Sequence, residues 1–237
     1  MAIVTLAPRL IMALDVPTVE AGLALVDRFE GRCDFYKVGL ELFTAAGPAF
    51  VATLRSRGVD VFLDLKLHDI PNTVRQAARR AAAHDVRLLT VHASGGEAML
   101  AAAVDGAGDG CGILGVTVLT SLEPAELAAA WGRGPWIDVR TEVLRLAELA
   151  DAAGAHGIVC SGSELAAVVQ KFNGRLSPLV PGIRPVGAAV NDQARVVTPE
   201  SAAADGARYL IVGRAVTEAS DPLAAWDSIA AAVAGVA

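Results

Sequence analysis

Short apolar runs alternate with alanine-rich amphipathic stretches along the whole chain. The runs predict strands at Leu10 to Asp15, Phe35 to Leu40, Val61 to Lys66, Leu88 to Ala93, Gly112 to Leu119, Gly157 to Cys160, Ser177 to Pro181 and Tyr209 to Val212. Between them the 3.6-residue periodicity predicts helices over Pro17 to Phe29, up to about Gly58, and from Pro71 to about His84. Others are predicted through Ala103, near Asp138 to Ala153 and from Ser163 to about Phe172, with a last helix at the carboxyl end. Strands separated by helices imply right-handed crossovers and a parallel sheet. Eight such units in 237 residues match a closed (β/α)8 TIM barrel, read here as a single domain over 1–237. An open doubly wound sheet is the rival, and the lack of a G-x-G-x-x-G after the first strand weakens its dinucleotide-binding form.

The stretch that departs from this pattern is FLDLKLHDIPNT, Phe62 to Thr73. It places Asp64, Lys66 and Asp69 at the exit of a strand, where an unpaired buried charge would cost several kcal/mol. Asp64 and Lys66 are two apart and share a face of a regular strand. Pro71 suits the first position of the following helix. In a barrel, polar residues at the carboxyl ends of strands form the active site. Collecting them gives Asp15, Lys37, Asp64, Lys66, His92, Thr120, Ser161 and Arg184, a charge-balanced set.

Composition sharpens this. Of 20 basic residues only Lys37, Lys66 and Lys171 are lysines. Two of the three stand at strand ends, where an ammonium that can release its proton has a use a guanidinium lacks. A net charge of −6 argues against a nucleic-acid surface. No apolar run reaches the roughly 20 residues of a membrane span, and no basic leader opens the chain. Cys33, Cys111 and Cys160 form no C-x-x-C pair, so a disulfide framework or zinc site is not expected. A reducing cytoplasm is.

A second chemistry lies further along. PGIRP at Pro181 to Pro185 and VGRAV at Val212 to Val216 leave the seventh and eighth strands, where barrels hold phosphate. Gly213 permits close backbone approach and Arg214 offers charge-assisted hydrogen bonds. The long segment between, with Gln193, is a candidate lid.

D-x-K-x-x-D-I-P-N-T at Asp64 to Thr73 resembles the signature of the orotidine 5′-monophosphate decarboxylases. The likeness extends to the ALD ending at Asp15, YKVG around Lys37, VTVLTS around Thr120, PGIRP, TPESA and VGRAV. The resemblance implies cofactor-free and metal-free conversion of orotidine 5′-monophosphate to uridine 5′-monophosphate in pyrimidine biosynthesis. It implies that Lys66 protonates C6 and that Asp64 faces the substrate carboxylate. Lys37 and Asp69 would complete a Lys–Asp–Lys–Asp array. It further implies that Asp69, Ile70 and Thr73 enter the neighbouring subunit's site in a homodimer. Asp15 and Lys37 would contact the ribose, Thr120 the pyrimidine edge, and Arg184, Gln193, Gly213 and Arg214 the phosphate. Two alternatives stay open on the residues: a metal-dependent sugar-phosphate decarboxylase or aldol-type relative, and a nucleotide-monophosphate-binding barrel without turnover. His92 reads as a hydrogen-bonded supporting residue, Ser161 as no nucleophile, Lys171 as a solvated helix end and the cysteines as core.

Overall fold

A computed structural model describes residues 7–134, 137–185 and 197–236. In chain order its elements are β1 (Arg9–Leu14), α1 (Val19–Arg28), β2 (Phe35–Gly39), α2 (Leu40–Ser56), β3 (Asp60–Leu67) and α3 (Pro71–Ala82). There follow β4 (Leu88–His92), α4 (Glu97–Ala107), β5 (Gly112–Val116), α5 (Pro124–Ala130), α6 (Val139–Ala152) and β6 (Gly157–Val159). The chain continues with α7 (Gly162–Phe172), β7 (Ser177–Val180), α8 (Pro199–Ala204), β8 (Tyr209–Val212), α9 (Arg214–Thr217) and α10 (Pro222–Ala234). All eight strands are parallel and close in sequence order, β8 pairing with β1. The architecture is a (β/α)8 TIM barrel.

Period-two alternation sorts the strand residues into two cores. Ile11, Ala13, Phe35, Phe62, Leu88, Leu114, Leu179, Tyr209 and Ile211 fill the barrel interior. Their neighbours Met12, Leu14, Tyr36, Val38, Val61, Leu63, Leu89, Val91 and Leu210 face outward and pack on the helices. At the amino end of the strands the interior is closed. Arg9 lies 4.6 Å over the Phe35 ring and its Nη1 donates to Asp60 at 2.8 Å, while Phe35 meets Tyr209 edge-on. At the carboxyl end the inward positions turn polar: Lys37, Asp64 and Thr90 come next in their rows.

Helix starts follow local chemistry. Thr18 caps α1 through its side chain, so that helix begins at Val19, two residues after Pro17. Pro71 stands at the first turn of α3, as expected. Ser161 caps α7 and shares a capping box with Glu164, which gives the buried serine its role. β2 ends at Gly39, since Leu40 already opens α2. β5 stops at Val116 where the apolar run to Leu119 predicted more, because its neighbours β4 and β6 end opposite it at His92 and Val159. The three cysteines are buried and none is in a disulfide. Burial pushes the Cys33 thiol up to about 11 and Cys111 up to about 12. Among the described residues no helix is long and apolar enough to cross a membrane.

One glycine is required by close packing. A Cβ on Gly157 would lie 1.9 Å from the Ser177 carbonyl oxygen on the adjoining strand. Gly157→Ala is therefore expected to cost about 3 kcal/mol, since backbone cannot move aside cheaply. Gly110→Ala, with nothing within 4 Å of its Cβ, should stay within about 0.5 kcal/mol. Urea unfolding of both variants checks the contrast.

Candidate active site

The inward rows of β1, β2 and β3 end in a run of alternating charges. Lys37 Nζ donates to Asp15 Oδ1 at 2.7 Å and stands 3.8 Å from Asp64 Oδ2. Lys66 Nζ donates to Asp64 Oδ1, also at 2.7 Å. Lys37 is the most enclosed of the four, with 9% of its side chain exposed, and Asp64 follows at 15%. Gly39 makes room for the pair at the end of β2, since a Cβ there would lie 3.1 Å from Lys37 Nζ and 3.3 Å from Asp15 Oδ1. Each charge faces one of opposite sign, which offsets the cost of partial burial.

β3 reaches this arrangement irregularly. Leu63 pairs with Leu89 and Leu67 with Val91, so Asp64, Leu65 and Lys66 together face Thr90 alone. Lys66 takes a left-handed backbone, φ 49°, a conformation costing a non-glycine residue about 1 kcal/mol. A bulge of this kind re-aims side chains beside active sites. Asp64 and Lys66 do meet, as their spacing predicts, but through a distorted strand end and not a flat one. The bulge also explains why β3 runs on to Leu67, one residue past the predicted end.

These residues line a cavity of about 310 Å³ at the carboxyl end of the barrel. Asp15, Lys37, Asp64 and Lys66 form one wall. Thr120, Ser121, Gly182, Arg184, Gly213 and Arg214 form the polar remainder, and Phe62, Val116, Val159, Leu179 and Ile211 supply an apolar floor. Gly213 is the residue before the short α9, which begins with Arg214, and a Cβ on it would lie 3.5 Å from that of Ala13. Arg184 is buried, and its Nη1 donates to the Ile183 carbonyl. The lining thus combines alternating carboxylates and ammoniums with two arginines and two glycines.

Three expected residues stand apart from the cavity. Asp69, Ile70 and Thr73 are exposed at the start of α3 and do not line it. Asp69 Oδ1 accepts from the Ile70 N–H, and Ile70 is 67% exposed. Within one chain the run is Asp15–Lys37–Asp64–Lys66, and the Lys–Asp–Lys–Asp series ending in Asp69 is not formed. Gln193 lies outside the described residues. His92 faces the His68 ring, with centroids 5.6 Å apart, where a hydrogen bond was expected; none is present among the described residues. Lys171 pairs with Glu148 on the surface. Among the described residues no group of three or more His, Cys, Asp and Glu is arranged to hold a metal ion.

Thr90 was not singled out from the sequence. It is fully buried, donates its hydroxyl to Asp64 Oδ1 at 3.0 Å and accepts the Lys66 N–H at 2.9 Å. Its signal was available: Thr90 lies two residues before His92 and therefore on the same inward row. Ser121 and Gly182 were also missed, both lying in loops where alternation gives no information.

Fold and site define a (β/α)8 barrel whose carboxyl-end cavity is lined by alternating carboxylates and ammoniums together with two arginines. The sequence profile described as orotidine 5′-phosphate decarboxylase / HUMPS family matches residues 8–229. An orotidine 5′-phosphate decarboxylase of Anaeromyxobacter sp. (strain K) is 52% identical over 223 residues, covering 94% of this chain and 97% of that one. One from Cutibacterium acnes is 46% identical over 226 residues, covering 93% and 94%. The crystal structure of orotidine 5′-phosphate decarboxylase from Lactobacillus acidophilus superposes with a TM-score of 0.81 at 34% identity, covering 95% and 99%. The chain belongs to the orotidine 5′-phosphate decarboxylase / HUMPS family. It is an enzyme of the carboxy-lyase class.

The half-buried His92 has a consequence for pH. Burial first, then His68 and Lys66, hold its pKa below the ordinary 6.5, with Asp64 opposing. A depressed folded pKa means the unfolded chain takes up the proton first as pH falls. The stability His92 contributes is present above pH 6.5 and is lost as pH drops toward the folded value. An NMR titration of the His92 ring should show a midpoint below 6.5. Between pH 7 and 5, His92→Asn should lose less of its urea midpoint than wild type; equal losses would contradict this.

Proposed function

We propose that this chain decarboxylates orotidine 5′-monophosphate to uridine 5′-monophosphate in pyrimidine biosynthesis, as a cytoplasmic single-domain barrel working in a homodimer. The observation that carries the reading is the Asp64–Lys66 pair inside the cavity of a chain whose relatives at 46–52% identity are orotidine 5′-phosphate decarboxylases. The same relatives do not favour a sugar-phosphate decarboxylase, an aldol-type enzyme or a binding protein without turnover.

Loss of carbon dioxide from C6 of the pyrimidine leaves an electron pair with no ring position to accept it. A fixed ammonium beside that carbon stabilises the developing charge and then delivers the proton. Lys66 takes this role, with the substrate carboxylate lying against Asp64. Lys37 balances Asp64 on its other side and, with Asp15, meets the ribose hydroxyls. Thr120 reads the pyrimidine edge. The phosphate rests on Gly213, Arg214 and Arg184, with Gln193 reaching it from the intervening segment. Its binding energy serves to orient the ring for reaction at Lys66.

The homodimer completes the charge series. Asp69, Ile70 and Thr73 stand exposed at the start of α3, outside the cavity of their own chain, which leaves them available to a neighbouring subunit. In the dimer, Asp69 of one subunit follows Lys66 of the other, giving the alternating Lys–Asp–Lys–Asp array.

Two outcomes test this. With chelator present, the wild-type enzyme should consume orotidine 5′-monophosphate, and Lys66→Ala should lose at least about 1,000-fold in kcat. Wild type that is inert toward the nucleotide, or that turns over a sugar phosphate only with magnesium, would reject the reading. Separately, Lys66→Ala and Asp69→Ala subunits, each nearly inactive, should recover about one quarter of wild-type activity after mixing and exchange, because half the dimers then carry one intact site of two. Failure to recover any activity, with exchange verified by mass, would reject the shared site.

A further inference from the structure

We infer that Thr90 is a positioning residue for the decarboxylation, acting through Asp64 and Lys66 without touching the substrate. The inference rests on the reaction proposed above. Three facts converge on one hydroxyl. The bulge in β3 sets Asp64, Leu65 and Lys66 against Thr90 alone, so the regular β3–β4 ladder is interrupted there. The Lys66 N–H instead finds the Thr90 Oγ1 at 2.9 Å. The same oxygen donates its proton to Asp64 Oδ1, the atom that also accepts from Lys66 Nζ.

The Thr90 hydroxyl therefore acts at both ends of the pair. As acceptor it satisfies a backbone donor that the bulge would orphan, and so supports the left-handed turn at Lys66 that aims its side chain back toward Asp64. As donor it fixes the carboxylate plane, with Oδ1 toward Lys66 and Oδ2 toward Lys37, 3.8 Å away. A threonine suits the task because a hydroxyl donates and accepts at once, and its branched Cβ has few rotamers to choose from. Thr90 is fully buried and does not line the cavity. A ligand is thus bound by other residues, while the geometry of the reacting pair depends on this one. Misplacement of a catalytic group by about 1 Å can cost about 100-fold in rate.

The test compares Thr90→Val, which keeps the shape and removes the hydroxyl, with Thr90→Ser, which keeps the hydroxyl. Thr90→Ala serves beside them should valine disturb folding. The expected result is a loss in kcat of about 10- to 100-fold for valine and alanine. The KM for orotidine 5′-monophosphate and the Kd for uridine 5′-monophosphate should stay within about twofold, and serine should restore kcat to within about threefold of wild type. An unchanged kcat in valine and alanine would overturn the inference. So would a parallel loss of turnover and product binding that serine fails to rescue, which would make Thr90 a packing residue only. Wild type without turnover would instead reject the proposed reaction, and is distinguished because it precedes any substitution.

Discussion

Closing eight parallel strands leaves one region where charge can be both partly desolvated and reached by a ligand: the carboxyl ends of the inward rows. Everything notable in this molecule depends on how those rows change character along their length. Ile11, Phe35, Phe62, Leu88 and Leu114 fill the middle of the barrel, and a charge at their depth would lose its water without compensation. One step further along β2 and β3 stand Lys37 and Asp64, deep enough to feel each other strongly and shallow enough to line a cavity. The apolar filling thus serves the site twice. It holds the strands in register, and it supplies a low-dielectric floor beneath the ion pairs, where fixed charges act more strongly than in water.

Much of this was legible because it follows from period and position. Eight apolar runs separated by amphipathic stretches favoured a closed barrel over an open doubly wound sheet, and the carboxyl-end rule then named eight residues before any geometry. Asp15, Lys37, Asp64, Lys66, Thr120 and Arg184 line the cavity, whereas His92 and Ser161 do not. The scarcity of lysine was a second signal. Where a chain uses arginine almost everywhere for positive charge, the lysines that remain mark places where a compact, titratable cation is needed. Lys37 and Lys66 occupy such places, whereas Lys171, paired with Glu148 at the surface, shows that the signal must be read together with strand position.

What alternation could not deliver lies where the backbone leaves the regular lattice. β5 ends at Val116 because its neighbours stop there, a fact about β4 and β6 that no reading of Gly112 to Leu119 contains. Ser121 and Gly182 belong to loops with no period. Asp69 carries no sign of whether it faces its own site or a partner's; its carboxylate holds the Ile70 N–H at the head of α3, a local role that any helix start could require.

The bulge in β3 is the most instructive of these departures. Read as an ideal strand, Asp64 and Lys66 share a face and their pairing needs no further support. In the folded chain they pair only because Lys66 accepts a left-handed backbone, a cost of about 1 kcal/mol, and because a side chain on the neighbouring strand takes over its amide. Such strain persists only where surrounding contacts over-determine it. Here they are the Thr90 hydroxyl, the Leu63–Leu89 pair before the bulge and the Leu67–Val91 pair after it. A regular strand would have been less strained locally, and its Lys66 would have shared the inward face with Asp64 one pleat repeat further along β3. The irregular one turns the ammonium back over Asp64, within 2.7 Å, and converts two charges on one face into a pair with a single defined geometry. The residue that breaks the local rule is therefore the one the proposed chemistry most needs in place, which is where a departure from backbone preference is expected to be retained.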